Sequence, residues 1–269
     1  MKLQRLAPLA GVLLLAALSC GCNKLKARDQ LNKGVSAFRN AQYQAAIENF
    51  QRAIDLDPNL MTARLYLATA HFQLYVPSGD SPENIKEGEQ TITAFEDVLK
   101  YDPNNVDAIS SIATIYYYMH KFEKAKELQE KRLQIEPNNP EGYYWIGQLD
   151  WSICFPKRMA LRKDKNIANP KDPNHPDILP PLAEKDRAQL AQENAALVDD
   201  GIKALQKAID LKPDYVDAIA YLNLMYREKS DLEEDPSARD ADVAKANDLN
   251  AQANNLMKQA QEKAAQTTK

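Results

Sequence analysis

Three histidines (His71, His120, His175) and three cysteines (Cys20, Cys22, Cys154) are the side chains of this 269-residue chain best suited to metal or nucleophilic chemistry. Zinc sites need such groups clustered at short, characteristic spacings, and no histidine here has a cysteine or a second histidine at those spacings. The one arrangement that could hold a cation near a histidine is His175 with Asp172 and Asp177, inside a proline-rich stretch, and it supplies the alternative reading of an enzyme or metal-dependent module. There is no Gly-rich phosphate loop and no G-x-S-x-G, so neither nucleotide cradling nor an esterase-type nucleophile is indicated. Cys154, beside Trp151 and Phe155, is expected to pack as a small apolar group, and the acidic run 231–235 (DLEED) to be a solvated loop with at most a weak cation contact. The chemistry-bearing residues therefore point to a protein that is not an enzyme, with no catalytic residues, no metal and no cofactor.

The first segment must deliver the chain somewhere. Lys2 and Arg5 precede the apolar run 9–18 (LAGVLLLAAL). That run is shorter than the about 20 residues that span a bilayer but fits the hydrophobic region of a signal peptide. The sequence Ser19-Cys20-Gly21-Cys22-Asn23 follows and resembles the lipobox of bacterial lipoproteins. In that family a cysteine becomes the lipidated first residue after cleavage, so the resemblance implies residues 1–21 as leader, Cys20 or Cys22 as lipid attachment, and 22–26 as a tether. An ordinary secretory signal, or a short anchor kept in place, are the competing readings. Gly21 or Asn23, rather than aspartate, after the modified cysteine implies the outer membrane, on the periplasmic side of an exported chain. Once one of the pair is modified, at most Cys154 and the other N-terminal cysteine remain, so no disulfide framework is expected. A net charge of −4 argues against nucleic acid, whose phosphates demand a concentrated basic face.

Few glycines and mixed charges suit a mostly helical body. Four segments share one ending: 53–59 (AIDLDPN), 98–104 (VLKYDPN), 132–138 (RLQIEPN) and 208–214 (AIDLKPD). Proline disfavours helix in the residue before it, and the Asn or Asp after it is expected to cap the next helix. Upstream of Pro58, two amphipathic helices flank Asn40-Ala41-Gln42, with Gly34, Tyr43, Ala46, Phe50 and Ala53 where a helical hairpin needs small or filling residues. This pattern resembles the tetratricopeptide repeat, with a period of about 34 residues. Later repeats carry Ile112-Ala113, Tyr116, Ala125 and Pro137, then Tyr143 and Ile146-Gly147, with Pro103 and Pro213 closing others; Arg132 stands where alanine is usual.

The resemblance implies an all-α, right-handed superhelical solenoid of helix-turn-helix repeats: 27–60; 61–105 with an insert at about 76–86; 106–139; 140–215 with a proline-rich insert at about 156–185; and 216–269, a fifth repeat-like unit with a capping helix over about 237–266. That helix shows Val243, Ala246, Leu249, Ala253, Leu256 and Met257 as a thin apolar stripe. The insert, with Pro156, Pro170, Pro173, Pro176, Pro180 and Pro181, is expected to be irregular, its basic half (Lys157, Arg158, Arg162, Lys163, Lys165) free to reach a partner or to fold across the groove. In this family the first helix of each repeat lines a concave groove. Carried over by position, the lining is Leu31, Val35, Phe38, Leu65, Thr69, Phe72, Tyr117, Tyr118, Tyr144, Gln148 and Trp151. The paired Lys and Asn with which the best-known variant clamps a terminal carboxylate are absent, so a chaperone tail is not the expected ligand. The expectation is a scaffold or adaptor of the bacterial envelope that binds a protein or peptide through an aromatic groove. Small tetratricopeptide lipoproteins of pilus assembly have a similar layout without the inserts, which gives the narrower alternative of pilus or outer-membrane biogenesis. A self-assembling structural protein is a further alternative.

Overall fold

The computed structural model describes residues 7–167 and 179–267, with side chains from Cys22 to Gln266 in those spans. Ten helices follow one another among the described residues: α1 Ala7–Arg39, α2 Tyr43–Leu56, α3 Met61–Leu74, α4 Pro82–Tyr101, α5 Val106–Tyr118, α6 Phe122–Ile135, α7 Pro140–Asp164, α8 Glu184–Leu211, α9 Val216–Ser230 and α10 Pro236–Thr267. They divide into two compact units, Met1–Met119 and His120–Lys269.

The proline endings act as their chemistry requires. Asp57, Asp102, Glu136 and Lys212, each just before a proline, leave the helical region with φ between −142° and −122° and ψ between 71° and 90°. Each still donates its N–H to the carbonyl four residues back, so the last turn closes before the chain departs. Capping of the following helix differs from the expectation: the residue directly after the proline does not cap. Asn105 and Asn139, one position later, accept from the N–H of Ala108 and Glu141, both at 3.0 Å, whereas Leu60 and Tyr215 precede α3 and α9 without a side-chain cap. The turn after α1 places Ala41 at φ 56°, and the turn before α6 places His120 at the same value, the left-handed position that ends many helices.

In the first unit α1 packs on α2, α2 on α3, α3 on α4 and α4 on α5. Ala46, Phe50 and Ala53 are fully buried on one face of α2, spaced by one and two turns as a helical stripe must be. Gly34 of α1 lies against the Phe50 ring so closely that a Cβ there would come nearer than 3.0 Å, so the absent side chain sets the approach of the two helices. The expected insert of the second repeat, at about 76–86, is partly regular, since α4 begins at Pro82. Ser81 caps α4 through the N–H of Asn84 at 3.2 Å, and the Asn84 amide holds the loop at Val76 and Gly79.

The second unit packs α6 on α7, α7 on α8, and α9 between α7, α8 and α10. Its core joins Cys154, Val198, Leu205, Ala208, Ala218, Ile219, Leu222, Met225, Leu249 and Ala253. Gly147 repeats the device of Gly34, admitting the Leu205 side chain where a Cβ would stand. Ala125 is buried on α6. Of the C-terminal stripe, Ala246, Leu249 and Ala253 are buried against α9 while Met257 is exposed.

The proline-rich insert is corrected at its N-terminal end. The sequence predicts irregular chain from about residue 156, yet α7 runs through Pro156 to Asp164; at the other end α8 begins at Glu184, as the expected limit of about 185 allows. A proline inside a helix forfeits one hydrogen bond, but this one is followed by Arg158 and Arg162, four residues apart on one face and both buried in ion pairs. That anchorage holds the helix past the proline. Pro170, Pro173, His175 and Pro176, with Asp172 and Asp177, lie outside the described residues.

Candidate functional site

The residues expected to line a groove fall into distinct surroundings. In the first unit Leu31, Val35 and Phe38 are half-buried and pack on the core of the first hairpin, with Phe38 edge-on to Tyr43 at 5.4 Å and to Tyr66 at 6.1 Å. Leu65, Thr69 and Phe72 are half-buried on α3, and the Thr69 hydroxyl donates to the Leu65 carbonyl at 2.8 Å. The half-buried rings of Tyr117 and Tyr118 meet at 5.5 Å on α5.

The second unit brings Tyr144, Gln148 and Trp151 together. They lie four and three residues apart on α7, so they share one face. Tyr221 of α9 completes the group: its ring is 5.7 Å from Tyr144 and 5.5 Å from Trp151, edge-on to both. The Gln148 amide donates to the Tyr221 hydroxyl at 3.1 Å. Phe155 stacks on Trp151 at 4.7 Å, and Tyr215 lies 5.2 Å from Tyr144. All five rings are half-buried, so part of each stays accessible. Edge-to-face pairs are worth about 0.5–1.5 kcal/mol beyond their area, so the rings are held in place before any ligand arrives. Tyr221, Tyr215 and Phe155 escaped the sequence reading. No repeat position singled out Tyr221: in the fifth first-helix, VDAIAYLNLMYREK, the positions that match Tyr144, Gln148 and Trp151 are Ala220, Leu224 and Arg227, and Tyr221 stands one residue past Ala220.

Behind this face lies a buried ionic network that the sequence concealed. The sequence predicts Arg158 and Arg162 within a free basic segment and Asp231 within a solvated loop, yet all three are buried. Arg162, with 0% exposure, donates from Nε to Asp231 Oδ2 at 2.8 Å and from Nη2 to Asp231 Oδ1. Its Nη1 reaches the carbonyls of Ile167 and Pro180, so one guanidinium ties together the two described ends of the insert. Arg158 lies 3.0 Å from Glu228 and 3.2 Å from Asp231. Lys126 of α6 meets the buried Asp150 of α7 at 2.7 Å. Arg132, the departure from the alanine pattern, is buried and bonds Glu141 at 2.8 Å.

Burial pushes the Glu228 carboxyl up to about 7, against the pull of Arg158, and the Asp150 carboxyl up to about 6, against Lys126. Both groups bind protons more tightly folded than unfolded, so the stability they contribute is full below the ordinary carboxylate range and is lost as pH rises through these values. Unfolding free energy is expected to fall by on the order of 3 kcal/mol from Glu228 alone between its ordinary value of 4.5 and about 7. Glu228→Gln flattens that slope in urea titrations across this range; an unchanged slope would assign the dependence elsewhere.

The remaining candidates resolve simply. His71 Nδ1 lies 2.6 Å from Glu87 beside a polar cleft of about 430 Å³ lined by Gln51, Leu67, Gln90 and Lys100 among others. His120 is the left-handed turn residue described above. Cys154 is buried, its thiol pushed up to about 12 by burial and the nearby Glu228, which leaves it unreactive. Among the described residues no three His, Cys, Asp or Glu side chains gather as metal ligands, and no helix is long and apolar enough to cross a membrane.

The sequence profile of the tetratricopeptide repeat matches residues 30–60, the hairpin built around Gly34, Ala46 and Phe50. The chain is similar to the interferon-induced protein with tetratricopeptide repeats 2 of Cricetulus griseus, 24% identical over 186 residues, 69% of this chain and 36% of that protein. It is also similar to the Hsp70-Hsp90 organizing protein of Triticum aestivum, 29% identical over 115 residues, 43% of this chain and 18% of that one. It thus spans about a third or less of the length of these relatives. Among solved structures, MamA 41-end from Desulfovibrio magneticus RS-1 superposes with a TM-score of 0.52 at 17% identity, covering 84% of this chain and 96% of that one. YrrB, a TPR protein with an unusual peptide-binding site, superposes at 0.50 and 12% identity, covering 87% and 90%.

The chain folds as a tetratricopeptide-repeat solenoid. The aromatic group of α7 and α9 therefore lies on the first helices of successive repeats.

Proposed function

We propose that this tetratricopeptide-repeat protein is a non-enzymatic adaptor of the bacterial envelope, which seats an extended or helical segment of a partner protein on the aromatic face of α7 and α9. The observation that carries the reading is the ring group Tyr144, Trp151, Phe155 and Tyr221, tied by the Gln148–Tyr221 hydrogen bond. Tyr and Trp give large contact area at little entropic cost and dominate binding hot spots, and pre-formed rings spare the partner the expense of ordering them. Support for a peptide ligand comes from the solved TPR protein described by its peptide-binding site, and support for an adaptor role from relatives named as organizing proteins.

Envelope placement rests on the leader-like segment and the lipobox-like Cys20 or Cys22. A lipid there would hold the N-terminus at the periplasmic side of the outer membrane while the groove recruits its partner, as in assembly of a pilus-like or outer-membrane machine. The test is a crosslinking pulldown from intact cells comparing the native chain with Tyr144→Ala/Trp151→Ala, after circular dichroism shows equal helix content. Truncating hot-spot rings costs about 2 kcal/mol or more each, so one partner is expected to vanish selectively. An unchanged partner profile would overturn the assignment of function to this face.

A further inference from the structure

Beyond the groove, one surface carries a cluster of side chains that the repeat fold does not use. At the start of the described side chains, α1 exposes Cys22, Lys24, Leu25, Lys26 and Arg28. Ala27 is fully buried, so the side of α1 that carries it faces the packed interior and the opposite side faces out. Cys22 and Leu25, three residues apart, share that outward side, and Lys24 and Arg28, four apart, flank them as one row. Leu25 is 73% exposed, the most exposed large apolar side chain among the described residues. The only acid in the stretch, Asp29, pairs with Lys33 at 2.7 Å, and no ion pair joins Lys24, Lys26 or Arg28 among the described residues.

We propose that this stretch of α1 is a membrane-surface contact, in which Leu25 enters the headgroup boundary of an anionic bilayer and Lys24, Lys26 and Arg28 meet its phosphates. The inference rests on the reading that the N-terminal segment holds the protein at a membrane, and it names the lipid class that the adjoining helix selects. An apolar centre with cationic flanks is the composition that lies in a bilayer interface. Charge complementarity commits the surface to anionic lipid, because each cation near such a surface adds to binding and its effect fades within a Debye length. Three cations just after the attachment point would press the first repeat against the membrane and fix how it is presented.

The full-length chain and two variants, Lys24→Gln/Lys26→Gln/Arg28→Gln and Leu25→Ala, are floated with vesicles of phosphatidylcholine alone and of phosphatidylcholine with phosphatidylglycerol, at low and high salt. The native chain is expected to prefer anionic vesicles by about tenfold or more at low salt, with the preference lost in high salt and in the triple variant, and Leu25→Ala weakening retention on anionic vesicles. Equal partition of the native chain between the two vesicles, or a preference that survives the triple variant, would overturn the proposal while leaving the anchor intact. Failure of the native chain to float with either vesicle would overturn the anchor reading as well.

Discussion

Arg162→Met is expected to lower the unfolding free energy by about 3–5 kcal/mol. The Arg162 guanidinium is fully buried and serves both oxygens of Asp231 together with the carbonyls of Ile167 and Pro180. Removing it leaves a buried carboxylate short of one partner and two carbonyls short of a donor, and an unmet buried group costs its full desolvation. Arg158 still contacts Asp231 at 3.2 Å, which keeps the cost from rising further. Arg162→Lys is expected to recover only part of the loss, because an ammonium lacks the planar fork that meets both carboxylate oxygens at once. Urea titration followed by circular dichroism checks both variants. A cost below about 1 kcal/mol for Arg162→Met would mean that the pair is worth no more than a surface ion pair.

Phe50→Ala is expected to cost about 3–5 kcal/mol in the first unit. The ring is fully buried between α1 and α2, and stacks on Tyr66 of α3 at 5.4 Å. Gly34→Ala alone is expected to cost about 1–3 kcal/mol, since its new methyl would overlap that ring. In the Phe50→Ala background the same Gly34→Ala change has room and should cost little. The two positions are then coupled, and a double-mutant cycle reads the coupling directly. Additive costs would show that Gly34 is small for some reason other than the ring.

These two sites differ in how far the amino-acid sequence discloses them. Gly34, Ala46, Phe50, Ala53 and Pro58 act over one hairpin, so their spacing within about one repeat carries the information, and Pro103, Pro137 and Pro213 repeat it. Proline endings are local chemistry and were readable. The caps were less so, because Asn104 and Asn105, or Asn138 and Asn139, are adjacent and identical in type, and only backbone geometry selects the second of each pair. Arg158 and Arg162 looked free because their partners Glu228 and Asp231 lie about two repeats away in sequence and the intervening prolines suggested loop. Their spacing of four residues, continuing that of Cys154 and Arg158, was the one helical signal, and it ran against Pro156. The aromatic site was legible in part: Tyr144, Gln148 and Trp151 follow from register on α7, but the contribution of Tyr221 depends on how α9 packs on α7.

The most direct test of the adaptor reading places a photoreactive phenylalanine analogue at position 151 in the aromatic group and, separately, at position 207 on the exposed side of α8, with irradiation of intact cells. Capture of a single partner from position 151 and not from position 207 is the predicted result. Capture of that partner from position 207 alone, or equally from both, would contradict the seating of the partner on the aromatic face of α7 and α9.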